Sequence, residues 1–479
     1  MAEKVSNGNA AELDTFLPQD NSTTNGVTKY KVNKNNDLES ANNDPFKSRN
    51  LEHPVSDCDT LTHLLKAALG TGILSMPAAF KASGLVLGIF QTLLVSLICT
   101  HCAYILVASA HELYKKSGKH SMSFAEVAEE SCRRGPKWGR SWGTSARLLV
   151  QIGIFITYFT TCSCYSVIIA KDINYVLDHY LGCTVNIRIT ISLLLVPLIL
   201  IAYVPNLKYL APVSMVANAF MAVGLGITFY YLVADIPEIS ERKLAVIPSL
   251  PVAFSITIFA IEAIGVVMPL ENHMETPKHM IGLCGVLNQG MSAVTLVYIL
   301  LGFLGYLQFG EITEGSITLN LPQSEIPAQI VNILIALAVY CTFGLQFYVC
   351  LDIVWNGVKD KCENHPVIAN YAMRTILTVV CIAIAIAVPT IIPFVSLIGA
   401  FCFSILGIIL PIIIEVLTFW DKGFGKFNWK IYKNILVVIA GILALIFGSK
   451  MAIADIVDMY KPKNETVIIN ATCIDKWYT

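Results

Sequence analysis

The stretch "HLLKAALGTGILSMP", residues 63–77, decides how the chain is read. It lies in an apolar run long enough to enter a membrane, yet it carries His63 and Lys66 where lipid favours leucine. It then sets Gly70 and Gly72 around Thr71, with Pro77 about one turn on. Glycine costs about 1 kcal/mol in a helix interior relative to alanine, so this pair marks a place where the helix is given up. A break at mid-membrane leaves N–H and C=O groups unpaired, which lipid does not tolerate. It becomes useful when a polar ligand completes those bonds.

The device returns in "TIFAIEAIGVVMPLENHM", residues 257–274, where Glu262 and Gly265 precede Pro269. Paired interrupted helices at corresponding places in two halves are the best sequence pointer to a secondary transporter site. The N-terminal end of the half-helix resuming near Gly72 offers N–H donors and a positive dipole end to a carboxylate. The carbonyls ending the preceding half-helix, or the neighbourhood of Glu262, take an ammonium group. A zwitterion fits that pair of poles. For either motif alone the alternative is a glycine packing contact between helices.

Composition supports a membrane setting. The 479 residues are 55% hydrophobic and 14% charged, where soluble proteins carry about a quarter charged. A net charge of -1 argues against a nucleic-acid partner. The fourteen cysteines lie mostly within apolar runs and read as small buried apolar residues; the one CxxC, Cys99 and Cys102, falls inside the second span, so no metal site is expected. The absence of a Walker A loop, HExxH and GxSxG excludes an ATP-driven pump and an intramembrane hydrolase. The expected protein is not an enzyme and needs no cofactor beyond a coupling ion.

A span needs about 20 mostly apolar residues. Eleven candidates lie near 61–81, 84–110, 146–170, 188–204, 211–234, 250–270, 283–308, 327–356, 369–391, 393–418 and 434–454. The expected fold is an all-α membrane protein of broken-helix, inverted-repeat 5+5 type. Repeat one covers about 61–234 and repeat two about 250–418, with the eleventh helix extra, all within a transporter domain at 56–458. Residues 1–55 are rich in Asn, Asp, Ser and Lys and read as a disordered cytosolic tail. No signal peptide precedes the first span, which then serves as its own insertion signal. Residues 117–145 include "SFAEVAEESCRR", a short amphipathic helix with Phe124, Val127 and Ala128 on one face, or else a plain solvated loop.

Lysine and arginine in short loops set orientation. Lys115, Lys116, Lys119, Arg133, Arg134, Lys137 and Arg140 follow the second span, and Lys422, Lys426, Lys430 and Lys433 precede the last. The N-terminus is therefore expected in the cytosol and the tail at 459–479 outside or in a lumen. That tail carries two glycosylation acceptors, Asn464 and Asn470.

An acid at bilayer centre costs about 2.5–3.5 kcal/mol on insertion scales, which makes a functional reading the default for Glu262. It is the proton acceptor, the ammonium partner, or both in turn; a protonated structural acid is the alternative. His63, about 10 Å along a helix from Gly70, suits a proton relay or a pH sensor, or a satisfied interfacial histidine. Glu271, Asp352 and Glu415 fall near cytosolic span ends and are given no chemistry.

At these residues the chain resembles the proton-coupled amino acid transporters of solute carrier family 36, within the amino acid/auxin permease group. The motifs are "HLLKAALGTGILSMPAAFKASG" at 63–84, "FAIEAIGVVMPLEN" at 259–272, "GSITLNLP" at 315–322 and "LQFYVCLDI" at 345–353, and the likeness spans about 57–455. The resemblance implies proton-driven import of small neutral amino acids, a proton role for His63, and substrate held by the backbone of Gly70, Thr71 and Gly72. Phe259 and Glu262 fall at the family's sixth-span break, and Gly265 lies beside them. Many relatives carry glycine where this chain has Ala263, which bears on substrate choice. They also tend to have a cysteine just after "NLP", where Gln323 and Ser324 stand here. Cys183 matches the usual other half of that disulfide, and here it is either free or paired with Cys473.

The reading is a symporter moving small neutral amino acids with protons across a plasma or lysosomal membrane by alternating access. The rivals are a sodium-coupled or exchange carrier on the same fold, and a sensing receptor that binds amino acid but transports little. The N-terminal tail and the 117–145 loop would dock a cytosolic signalling partner in the receptor case.

Overall fold

The computed structural model describes residues 46, 49, 54–205, 207–234, 236–261, 263–359 and 365–461. Among these residues it is helical throughout, with one isolated bridge between Val55 and Met274. Nine helices among the described residues are long and apolar enough to cross a membrane. Two further spans complete the expected eleven. One is the shorter apolar helix Ile187–Ala202. The other is the first span, built from α1 (Asp57–Ala68), a five-residue 3-10 turn at Thr71–Ser75, and α2 (Met76–Ser83). Its two halves are each too short to cross alone.

Helix ends follow their local chemistry. The second span, α3 (Leu85–Ser117), stops at Gly118 with φ 70°, and the third, α5 (Gly143–Leu181), at Gly182 with φ 61°. Glycine takes this left-handed cap at no Cβ penalty. Between them α4 (Phe124–Arg133) begins with a complete capping box from Ser123 and Glu126. Its Phe124, Val127 and Ala128 are all buried, so the amphipathic helix expected there packs against the bundle.

After the fourth span, α6 (Ile187–Leu193) with α7 (Leu195–Ala202), and the fifth, α8 (Leu207–Ala234), the sixth span is α9 (Leu250–Ile261) followed by α10 (Ile264–His273). It lies antiparallel to the first. At one end Val55 N–H donates to the His273 carbonyl at 2.9 Å, and Glu275 N–H to the Val55 carbonyl at 2.9 Å. At the other, Val246 N–H donates to the Ser83 carbonyl at 2.7 Å and Ser249 Oγ to the Ala82 carbonyl at 2.8 Å. The start of one interrupted span thus meets the end of the other, the relation an inverted repeat requires.

Lipid tails are as apolar as leucine, so close packing at small residues holds such helices together. The seventh span, α11 (Val286–Phe309), approaches the first through Gly290, Gly302 and Gly305. The tenth span unwinds into a π-helical stretch, Ile398–Ile409, where Gly399 lies so near α9 that a Cβ would sit 1.9 Å from the Ser255 carbonyl oxygen. π-Helical turns cluster at functional sites. By contrast Ile376, Leu436 and Phe447 on the ninth and eleventh spans are exposed, the apolar outer face lipid would cover.

Candidate functional site: the paired breaks

α1 ends at Ala68, and the Leu69 N–H closes its last turn on the Leu65 carbonyl at 2.8 Å. Gly70 then takes an extended ψ of -162°, and the chain resumes as the buried 3-10 turn. Pro77 stands in the first turn of α2, where its missing N–H costs nothing. In the sixth span α9 stops at Ile261, Ala263 adopts φ -124° and ψ 7°, and α10 starts one residue later. The N–H groups opening each resumed helix have no intrahelical acceptor.

Both breaks open on one cavity of about 120 Å³. Gly70, Thr71 and Gly72 line it from the first span, with Phe259, Ala263 and Gly265 from the sixth. Tyr158, Tyr165, Gln346 and Phe403 close it from the third, eighth and tenth spans. Drug-sized ligand pockets run to roughly 300–1,000 Å³, so this one suits a molecule of few heavy atoms. No Asp, Glu, Lys or Arg lines it among the described residues.

The glycines divide the roles left open by the sequence. A Cβ on Gly70 would meet nothing nearer than the Ala67 carbonyl at 3.8 Å, so its backbone faces open space. On Gly72 it would lie 2.6 Å from Ala260 Cα, so Gly72 is where the two interrupted spans touch. On Gly265 it would lie 2.5 Å from the Tyr158 hydroxyl. Phe259 is 9% exposed and its ring tilts against Phe403, with centroids 6.2 Å apart.

His63 borders an adjoining cavity of about 100 Å³ with Lys66 and Thr342, and this second space shares Gly70, Thr71, Tyr165 and Gln346 with the first. Its Nδ1 is buried without a hydrogen-bond partner. Glu262, Asn464, Asn470 and Cys473 lie outside the described residues. Cys183 is disulfide-bonded.

Three features were missed from sequence. Phe124 of α4 lines the cavity from below, although that helix belongs to a polar loop. Glu271, given no chemistry, is wholly buried. Arg49 Nη2 donates to it at 2.9 Å and Tyr114 Oη at 2.9 Å, with His111 Nε2 at 3.0 Å. Arg49 and Phe46, whose ring meets His111 edge-on at 4.9 Å, come from the segment read as a disordered tail. Tyr298 of α11, in a mostly apolar helix, reaches both breaks. At the same end as Glu271, Asp57 accepts from Thr276 Oγ1 at 2.5 Å and lies 2.6 Å from His279 Nδ1. The Thr276 hydrogen bond, opposed by partial burial and helped by His279, holds the Asp57 carboxyl below its ordinary range.

Two oppositely running, interrupted spans that close on one cavity, inside a bundle of eleven spans among the described residues, define a membrane transporter of the broken-helix class. The family model described as transmembrane amino acid transporter protein matches residues 53–454. The proton-coupled amino acid transporter-like protein pathetic of Drosophila melanogaster is 55% identical over 456 residues, 95% of this chain and 97% of that one. Amino acid transporter ANT1 of Arabidopsis thaliana is 25% identical over 415 residues, 82% of this chain and 91% of its own. Among solved structures, Mhp1, a nucleobase-cation-symport-1 family transporter, covers 85% of this chain and 94% of its own at 13% identity and a TM-score of 0.47. MhsT in complex with L-phenylalanine covers 83% and 97% at 14% identity and a TM-score of 0.41. The chain belongs to the transmembrane amino acid transporter family, in its proton-coupled amino acid transporter group.

Proposed function

We propose that this protein is a secondary active symporter that carries small neutral amino acids with protons by alternating access. The observation that carries the reading is the cavity on which both broken spans open. Its backbone ends supply opposite poles for a carboxylate and an ammonium, and its described lining is uncharged. A charged substrate side chain would be left unpaired there, at a cost of several kcal/mol. The small volume disfavours long side chains. Substrate binds through Gly70, Thr71, Phe259 and Gly265, while Gly72 sets the distance between the spans.

Glu262 and His63 are the proposed proton-coupling groups, from their places in the two interrupted spans and the resemblance above. The N-terminus faces the cytosol, since lysine and arginine concentrate in the loops on that side. Asn464 and Asn470 then lie on the glycosylated face, and Cys473 is the proposed partner of Cys183. Uptake of labelled alanine, glycine and proline into cells displaying the protein, against glutamate and lysine, tests the substrate class. Uptake confined to the neutral set supports it, and preferred uptake of either charged amino acid overturns it.

A further inference from the structure

Tyr298 is fully buried on α11, on the face that runs along the first span. A Cβ on Gly290 would meet Leu64 Cδ2 at 2.6 Å, on Gly302 the Phe80 ring at 2.5 Å, and on Gly305 the Pro77 ring at 2.5 Å. Positions 290, 298, 302 and 305 recur at helical spacing, so they share one stripe. That stripe follows α1 below the break and α2 above it, and Tyr298 lies at the break. Its hydroxyl is 2.5 Å from the Ala68 carbonyl oxygen and 3.1 Å from that of Ala260.

Those two carbonyls belong to the last turns of α1 and α9. In an unbroken helix each would receive the N–H four residues on; where the helix stops, that donor is displaced. A buried carbonyl without a donor is costly in a membrane. A tyrosine hydroxyl carries one proton and so serves one carbonyl at a time. The two acceptors also stand beside the Gly72–Ala260 contact, the point where the spans touch.

We propose that Tyr298 is a positioning residue for transport, whose single O–H, shared between the terminal carbonyls of the two interrupted helices, makes both breaks move as one joint. It sits behind the cavity wall and touches no substrate. Its effect on rate rests on the transport reading above, but its effect on the joint does not.

The test uses the purified full-length protein in lipid nanodiscs, with amide hydrogen exchange followed over residues 66–75 and 257–268. Tyr298→Phe should speed exchange in both segments by about fivefold or more, since it removes the donor and keeps the ring. Tyr340→Phe is the control: its hydroxyl donates to the Pro197 carbonyl at 2.8 Å, away from either break, and both segments should match wild type. Exchange that rises in one segment alone, or in neither, overturns the proposal. In cells at matched surface abundance, Tyr298→Phe should lower the maximal uptake rate about tenfold and change KM less than about twofold. A preserved rate beside loosened segments would overturn the positioning role in transport. Should wild type carry no amino acid at all, the transport reading fails while the exchange result still decides the joint. Should Tyr298→Phe not reach the surface, 3-fluorotyrosine at 298 keeps the ring and strengthens the donor. Slower exchange in both segments is then expected, and unchanged exchange overturns the proposal.

Discussion

The two breaks solve one problem by different means. In the first span the helix is abandoned over several residues, from Leu69 through a buried 3-10 turn to Ser75. In the sixth the gap is short, with Ala263 carrying the turn before α10 resumes. The first break therefore offers backbone, and its glycines set how near other groups come. The second offers a side chain, Phe259 on the cavity wall. One break is a cradle and the other a partner for it. Within both breaks, what a substitution does is then set by the atoms an added side chain would meet.

The sharpest way to break that comparison is at the two glycines of the first break, Gly70 and Gly72. Gly72→Ala forces Ala260's backbone to move, and overpacking of this kind costs about 1–3 kcal/mol. Surface abundance or maximal uptake should fall at least about tenfold, the equivalent of 1.4 kcal/mol. Gly70→Ala meets no such obstacle, so abundance should hold while KM rises, because the added methyl enters the cavity. Equal loss of abundance in both, measured by surface labelling, would erase the distinction.

A smaller effect is expected at Gly265. The atom its Cβ would meet is the Tyr158 hydroxyl, at the end of a movable side chain. Gly265→Ala should raise KM several-fold, about 1 kcal/mol of lost fit, with abundance unchanged. Adding Tyr158→Phe should recover part of that loss in the same uptake assay; a strictly additive double variant would show that the contact is not the cause.

The smallest effect concerns Asp57. A depressed carboxyl contributes stability that is present above its ordinary value of 3.8 and is lost as pH falls through the lower folded value. Between about pH 5.5 and pH 7.5 that contribution is constant. Asp57→Asn should thus leave the shape of the uptake–pH curve unchanged over this window. A shifted curve would move the pH sensor from the breaks to the span end.

Much of this was legible in residues 63–77 and 257–274, because broken helices advertise themselves through glycine and proline at positions where apolar residues are otherwise continuous. Eleven spans could be counted for the same reason. Tyr298 was not legible: an aromatic residue among apolar neighbours in a span carries no mark of which face it occupies. Phe124 was placed on the correct face of α4, but periodicity cannot say that a loop helix docks beneath a cavity. Arg49 was hidden by composition. A polar segment reads as unfolded however well one of its side chains fits, and here that side chain is 4% exposed against Glu271.

The most direct test is inward current in a voltage-clamped cell during addition of a small neutral amino acid, without sodium, at about pH 5.5 and about pH 7.5, either side of an ordinary histidine's titration. Surface labelling first establishes that the protein is present. The account predicts a current that grows at the acid pH and is lost in Glu262→Gln. Uptake without current, or a current that needs sodium, would contradict proton symport.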